Sequence, residues 1–149
     1  GENMLKYPFE EFHKDVKIMV RDIKENFEPE VILAVARSGL TLGHFLASLL
    51  NNRNLFTLNS IHYEETQKLD TIDIFNIPDL SKFNKILIVD DMIDTGESMI
   101  AIKQELLKRF PHIELKIATI FYKRKALLLP DFTVKEAHEW IEFFWEEQI

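Results

Sequence analysis

Ile86-Leu87-Ile88-Val89-Asp90-Asp91-Met92-Ile93-Asp94-Thr95-Gly96-Glu97-Ser98 sets an apolar run, two acids and a small-residue turn in one segment. Its first four residues, with Lys85 before them, form a continuous β-branched and aliphatic run, the pattern of a strand covered on both faces in a parallel sheet. The strand is expected to stop at Asp90-Asp91. A small-residue turn follows, and Met99, Ile102, Leu106, Leu107 and Phe110 then recur as one face of a helix that Pro111 closes. Backbone N–H groups from Thr95 to Ser98 would stand at that helix's N-terminus, where the helix dipole favours an anion and the Thr95 and Ser98 hydroxyls add donors. This is a cradle for one phosphate group, and Gly96 lets the backbone approach its oxygens. Asp90 and Asp91 can accept hydrogen bonds from vicinal hydroxyls of a sugar, directly or through the water shell of Mg²⁺.

Working outward, Val31 to Ala36 is a short apolar run and Leu40 to Leu50 a longer one at helical spacing, with Arg37-Ser38-Gly39 as the tight loop between them. Phe9, Phe12, Val16, Val20, Ile23 and Phe27 predict an amphipathic helix after Pro8 that ends near Glu28-Pro29. Leu55 to Tyr63 and Leu115 to Tyr122 predict two further strands. Glu64 to Asp70 is polar, has no apolar face and predicts a loop. Alternating strands and helices give an α/β fold with a mostly parallel sheet, which binds ligands beyond the carboxyl ends of its strands.

The 149 residues, 46% of them apolar and 12 of them Phe, suit one core and one domain spanning 1–149. Gly1 to Asn3, ahead of Met4, read as a cloning remnant. A net charge of -7 with 18 scattered Lys and Arg argues against a broad nucleic-acid surface. No apolar run reaches 18 residues, no charged-then-apolar leader opens the chain, and there are no cysteines, so a cytoplasmic protein without a membrane span is expected.

The ordered string from Ile86 to Ser98 resembles the ribose-phosphate motif of type I phosphoribosyltransferases along nearly its whole length. Single acids also end strands and single hydroxyls also cap helices, but that reading leaves the ordered set unexplained. Receiver domains of response regulators place paired acids after their first strand, whereas this pair lies past mid-chain. The resemblance implies a Rossmann-like parallel sheet flanked by helices, with a small hood. It also implies that Asp94, Thr95, Gly96, Glu97 and Ser98 bind the 5-phosphate of phosphoribosyl pyrophosphate. Asp90 and Asp91 then serve the ribose and Mg²⁺, and Arg37, Ser38 and Gly39 form the pyrophosphate loop, which in the family is frequently strained by a non-proline cis peptide. Ile61-His62-Tyr63 and the polar loop through Lys68 stand where the family has its flexible hood loop, Lys68 being a further candidate for pyrophosphate.

Lys123, after Thr119-Ile120-Phe121-Tyr122, resembles the lysine that contacts the exocyclic oxygen of the base in xanthine-guanine phosphoribosyltransferases. Glu139-Trp140-Ile141-Glu142-Phe143-Phe144-Trp145-Glu146 resembles that subfamily's tail, with Trp140 stacking on the base, Ile141 reading it through main chain, and Trp145 in core or subunit contact. By the same resemblance Asp94 lies on the imidazole side of the purine, exchanges its proton and is the catalytic candidate. Purine salvage on guanine, xanthine or hypoxanthine by a homodimer or homotetramer is implied. The chain departs from the family pattern at Ser38, at His62, where a serine is usual, and at Glu97, whose side chain should therefore point away from the phosphate. No second histidine sits at ligand spacing from His62, so the sequence does not mark it as a metal ligand. A regulatory sensor of the same fold, or an enzyme for orotate, uracil or adenine, are the alternatives. The first would want a basic face, and the others lack this pairing of Lys123 with Glu139-Trp140-Ile141.

Overall fold

The structure is a computed structural model that describes residues 3–64, 66 and 69–147. Val31–Ala36 (β2) and Lys85–Ile93 (β5) form its centre as adjacent parallel strands, with Ala34 opposite Val89. Leu55–Tyr63 (β3) lies outside β2, and Thr71–Phe75 (β4) returns antiparallel against it. On the other side stand Glu114–Tyr122 (β6) and the two-residue β7 (Lys135–Glu136). The sheet order is β4-β3-β2-β5-β6-β7. The chain moves outward from β2 in one direction and from β5 in the other, so the switch point of the topology falls between these two strands. Ligand crevices open there, beyond the carboxyl ends.

Uniformly apolar strands are explained by two cores. Ile32 of β2 and Leu87 and Val89 of β5 face Phe9–Asn26 (α1) and Leu40–Leu49 (α2). Val31, Leu33, Val35, Ile86 and Ile88 face Glu97–Arg109 (α3) through Met99, Ile102 and Leu106. Neither face meets water, so no polar alternation is written into the strands.

One expectation needs correction. The acids do not lie past the end of β5, because the strand continues through them to Ile93, where Met92 and Ile93 still pair with Phe121 and Tyr122 of β6. The first helix ends at Asn26, close to Glu28-Pro29 as expected, with Phe27 turned into the core. Met4–Tyr7 (β1) and Trp140–Phe143 (β8) form a separate parallel pair, with Met4 opposite Trp140 and Leu5 opposite Ile141. Tyr7 anchors this pair: it is 2% exposed, packs edge-on against Phe12, Phe121 and Phe143, and donates its hydroxyl to Asp15. Trp145 packs with Phe12, Phe143 and Phe144, on the core side of the expectation for it. Among the described residues no helix is long and apolar enough to cross a membrane.

Candidate active site

Two loops meet at the switch point. After β2 the chain passes a cis peptide between Ala36 and Arg37 and enters α2 at Leu40. Gly39 lies directly on β5, where a Cβ would collide with the Val89 carbonyl oxygen and stand 2.9 Å from the Asp90 Cα. The close approach lets the Ser38 hydroxyl donate to Asp90 Oδ1 at 2.6 Å. Gly39→Ala is expected to force the loop off the strand, lowering stability by roughly 1–3 kcal/mol, which a denaturant midpoint would measure. Arg37 is exposed beside this contact.

The second loop carries Asp94 to Gly96. Gly96 has φ +90°, a left-handed conformation that side chains resist, and a Cβ there would meet the Leu128 amide nitrogen at 3.0 Å. The Thr95 carbonyl accepts from the Leu127 N–H at 2.8 Å, so the segment after β6 braces the cradle. The Glu97 N–H donates to Thr95 Oγ1 at 3.2 Å, and α3 begins at Glu97. First-turn N–H groups have no intrahelical partner and remain suited to an anion. Glu97 turns its carboxylate toward the hood, where Oε2 lies 3.7 Å from His62 Nε2.

Both acids lie within β5, and their side chains remain within hydrogen-bonding reach of each other. Asp90 faces the Arg37–Gly39 loop, and Asp91 faces the cleft beside β8. The Asp91 N–H donates to Asp90 Oδ1 at 2.8 Å and the Met92 N–H to Asp91 Oδ1 at 2.6 Å. Asp90 keeps some exposed surface as a residue, but its carboxyl is enclosed by protein, and this desolvation raises its pKa despite the Ser38 and Asp91 donors. Desolvation, then repulsion from Asp90, likewise holds the Asp91 carboxyl well above the usual carboxylate range. The unfolded chain ionises Asp91 near pH 4 while the folded chain retains the proton, so this residue destabilises the protein increasingly as pH rises from there. Asp91→Asn keeps the acceptor for Met92 and removes the ionisation that favours the unfolded chain. Without ligand at neutral pH it is expected to add on the order of 1–3 kcal/mol to urea stability, and the gain should fade toward pH 4.

Asp91, Met92, Asp94, Lys123, Trp140 and Ile141, with Glu146 at the edge, line a cleft of 720 Å³. Lys123 is held by its N–H to the Ile93 carbonyl at 2.9 Å, and its ammonium reaches Asp94 Oδ1 at 2.7 Å. Trp140 is 68% exposed, with its indole free at the cleft, while Ile141 is buried behind it. The cleft thus joins the three residues expected to bind the base to Asp91 and Asp94. Arg37, Ser38, Gly39 and Thr95 to Ser98 stand outside it, at the adjoining loop and helix end. Lys68 lies outside the described residues. Glu146 and Asn3, which the sequence did not single out, also border the cleft. Glu146 is brought there by the turn after β8, which no sequence pattern announces.

The donor set at the paired acids is all oxygen. Each carboxylate gives one oxygen, Oδ1, to the hydrogen bonds above, which suits Asp90 and Asp91 to hold a hard cation such as Mg²⁺ through the other or through water.

Known proteins resemble this chain over nearly its whole length. The Phosphoribosyl transferase domain family matches residues 8–149. The xanthine-guanine phosphoribosyltransferase of Idiomarina loihiensis is 26% identical over 141 residues, covering 93% of this chain and 84% of that protein. Among solved structures, the xanthine-guanine-hypoxanthine phosphoribosyltransferase of Helicobacter pylori superposes with a TM-score of 0.90 at 34% identity. The match covers 97% of this chain and 94% of that one. A purine phosphoribosyltransferase from Pyrococcus horikoshii gives a TM-score of 0.85 at 28% identity, covering 98% and 95%. With the sheet order, the loop held by Gly39, the helix-end cradle and a family match over almost its full length, the chain belongs to the phosphoribosyl transferase domain family.

Proposed function

We propose that this protein transfers the 5-phosphoribosyl group of phosphoribosyl pyrophosphate to a 6-oxopurine, guanine, xanthine or hypoxanthine, and releases pyrophosphate. The observation that carries the reading is the Lys123–Asp94 pair, with atoms 2.7 Å apart, opening into the cleft beside Trp140. A 6-oxopurine places an acceptor, O6, next to the ring nitrogen N7. An ammonium beside a carboxylate at this spacing complements that edge, with Lys123 donating to O6 and Asp94 facing the imidazole. A 6-amino group would confront Lys123 with a donor and leave both unpaired.

The chain's own residues divide the remaining work. Thr95 to Ser98 hold the 5-phosphate at the α3 terminus, and Asp90 and Asp91 accept from the ribose hydroxyls. Arg37 and the Ser38-Gly39 amides face the pyrophosphate, and Trp140 covers the base, a stacking contact worth about 1–3 kcal/mol. Bound at the two acids, Mg²⁺ would supply positive charge against the negative charge developing on pyrophosphate. The bond from C1 of the ribose to the pyrophosphate oxygen breaks with its electron pair leaving on oxygen, and a purine nitrogen forms the new bond from the opposite face. Asp94 takes the imidazole proton. The gain is in alignment and charge, since both reactants are held while the bond changes.

Binding of products tests this without turnover. Calorimetric titration should show guanosine monophosphate binding at least about tenfold more tightly than adenosine monophosphate, the scale of one well-placed hydrogen bond. Equal affinities would reject a base-reading role for Lys123 and Asp94.

A further inference from the structure

On the side of the cradle away from the base cleft, three elements bring nitrogen and oxygen donors together. His62 is near the end of β3, Asp70 immediately precedes β4, and Glu97 is the first residue of α3. His62 Nε2 lies 3.3 Å from Asp70 Oδ2 and 3.7 Å from Glu97 Oε2, and one donor atom from each residue lies within 4.8 Å of the others. Ligands about 2.0–2.2 Å from a tetrahedral ion are spaced roughly 3.3–3.6 Å apart, so two of the three separations are already near ligand spacing. The three side chains line a cavity of 580 Å³ with Leu69 and Ile72, which leaves room for water as a fourth ligand.

We propose that His62, Asp70 and Glu97 form a site for one divalent transition metal ion of the zinc type, tying the β3–β4 hood hairpin to the first turn of the phosphate helix. Sequence spacing had spoken against His62 as a ligand because no second histidine stands near it. The fold supplies carboxylates from two other segments instead. One imidazole with two carboxylates and no sulfur suits Zn²⁺ and its neighbours, whereas Mg²⁺ prefers all-oxygen surroundings such as Asp90 and Asp91. The helix dipole explains an acid at the start of α3 but not why its carboxylate turns to an imidazole on another element. His62 and Glu97 are also two of the positions at which the chain departs from the family pattern, and the structure sets them against each other. Neither point depends on which base the enzyme uses.

The test is calorimetric titration of the chelator-treated full-length protein with Zn²⁺ alone, without phosphoribosyl pyrophosphate, alongside His62→Gln, Asp70→Asn and Asp90→Asn variants. Circular dichroism would establish that each is folded. One equivalent is expected to bind, with a rise in Tm. Affinity should drop by at least roughly tenfold in His62→Gln and Asp70→Asn, the scale already known for losing a group that merely orients a ligand, and stay unchanged in Asp90→Asn. Co²⁺ in place of Zn²⁺ should give the visible absorption of a four-coordinate ion, lost in His62→Gln. Absence of binding, binding indifferent to His62 and Asp70, or binding lost only in Asp90→Asn would each overturn the proposal.

Discussion

Replacing Asp94 with Asn is expected to lower kcat for a 6-oxopurine by on the order of 10²–10⁴-fold, the range for loss of a positioned proton acceptor. The KM for phosphoribosyl pyrophosphate should change much less. Asn retains the shape of the side chain and a carbonyl acceptor for Lys123, but it cannot take a proton from the imidazole of the base. The phosphate cradle is backbone, braced by the Leu127 N–H to the Thr95 carbonyl and by the left-handed turn at Gly96, and none of that depends on the Asp94 charge. Steady-state kinetics with each substrate varied in turn separates the two. Equal losses in kcat and in phosphoribosyl pyrophosphate binding would make Asp94 a cradle residue and remove it from proton transfer.

Lys123→Met is the second large expectation. Methionine fills a similar length and removes the ammonium, so kcat/KM for guanine or hypoxanthine should fall roughly 10–150-fold, the equivalent of about 1.5–3 kcal/mol for a hydrogen bond from a charged donor. Selectivity against adenine should narrow with it, because the mismatch between an ammonium and a 6-amino group disappears. Stability is expected to hold. The Lys123–Asp94 ion pair is largely exposed, and such pairs contribute little to folding. A variant that kept full activity on 6-oxopurines would show that O6 is read elsewhere in the cleft.

Much of this site was legible before any coordinates. The β5 run reads as a covered strand, because Ile86 to Val89 offer no polar face, and the small residues from Asp94 to Ser98 read as a turn. The string from Asp90 to Ser98 therefore suggested an order of phosphate-binding and sugar-binding groups along one segment. What the sequence hid were relations between segments. The extension of β5 through Asp90 and Asp91 depends on β6 pairing as far as Ile93, and it sets Asp90 against Ser38 and Asp91 at the base cleft, which a string of letters does not reveal. Met4–Tyr7 is too short and too mixed to announce a strand. It becomes one through its partner β8, whose own register puts Trp140 outward and Ile141 inward. Gly39 reads as a loop glycine, and only the approach of Val89 and Asp90 shows that a methyl group there has no room. His62, Asp70 and Glu97 carry no shared pattern at all, since three separate elements bring them together.

The most direct test of the central claim is turnover across a panel of bases. The protein would be incubated with Mg²⁺, phosphoribosyl pyrophosphate and, separately, guanine, xanthine, hypoxanthine, adenine, uracil and orotate, with nucleoside monophosphate and pyrophosphate both quantified. Equal amounts of the two products from the 6-oxopurines, and none from the other three bases, is the predicted result. Product from adenine, uracil or orotate at a comparable rate, or none from any base while phosphoribosyl pyrophosphate still binds, would contradict it.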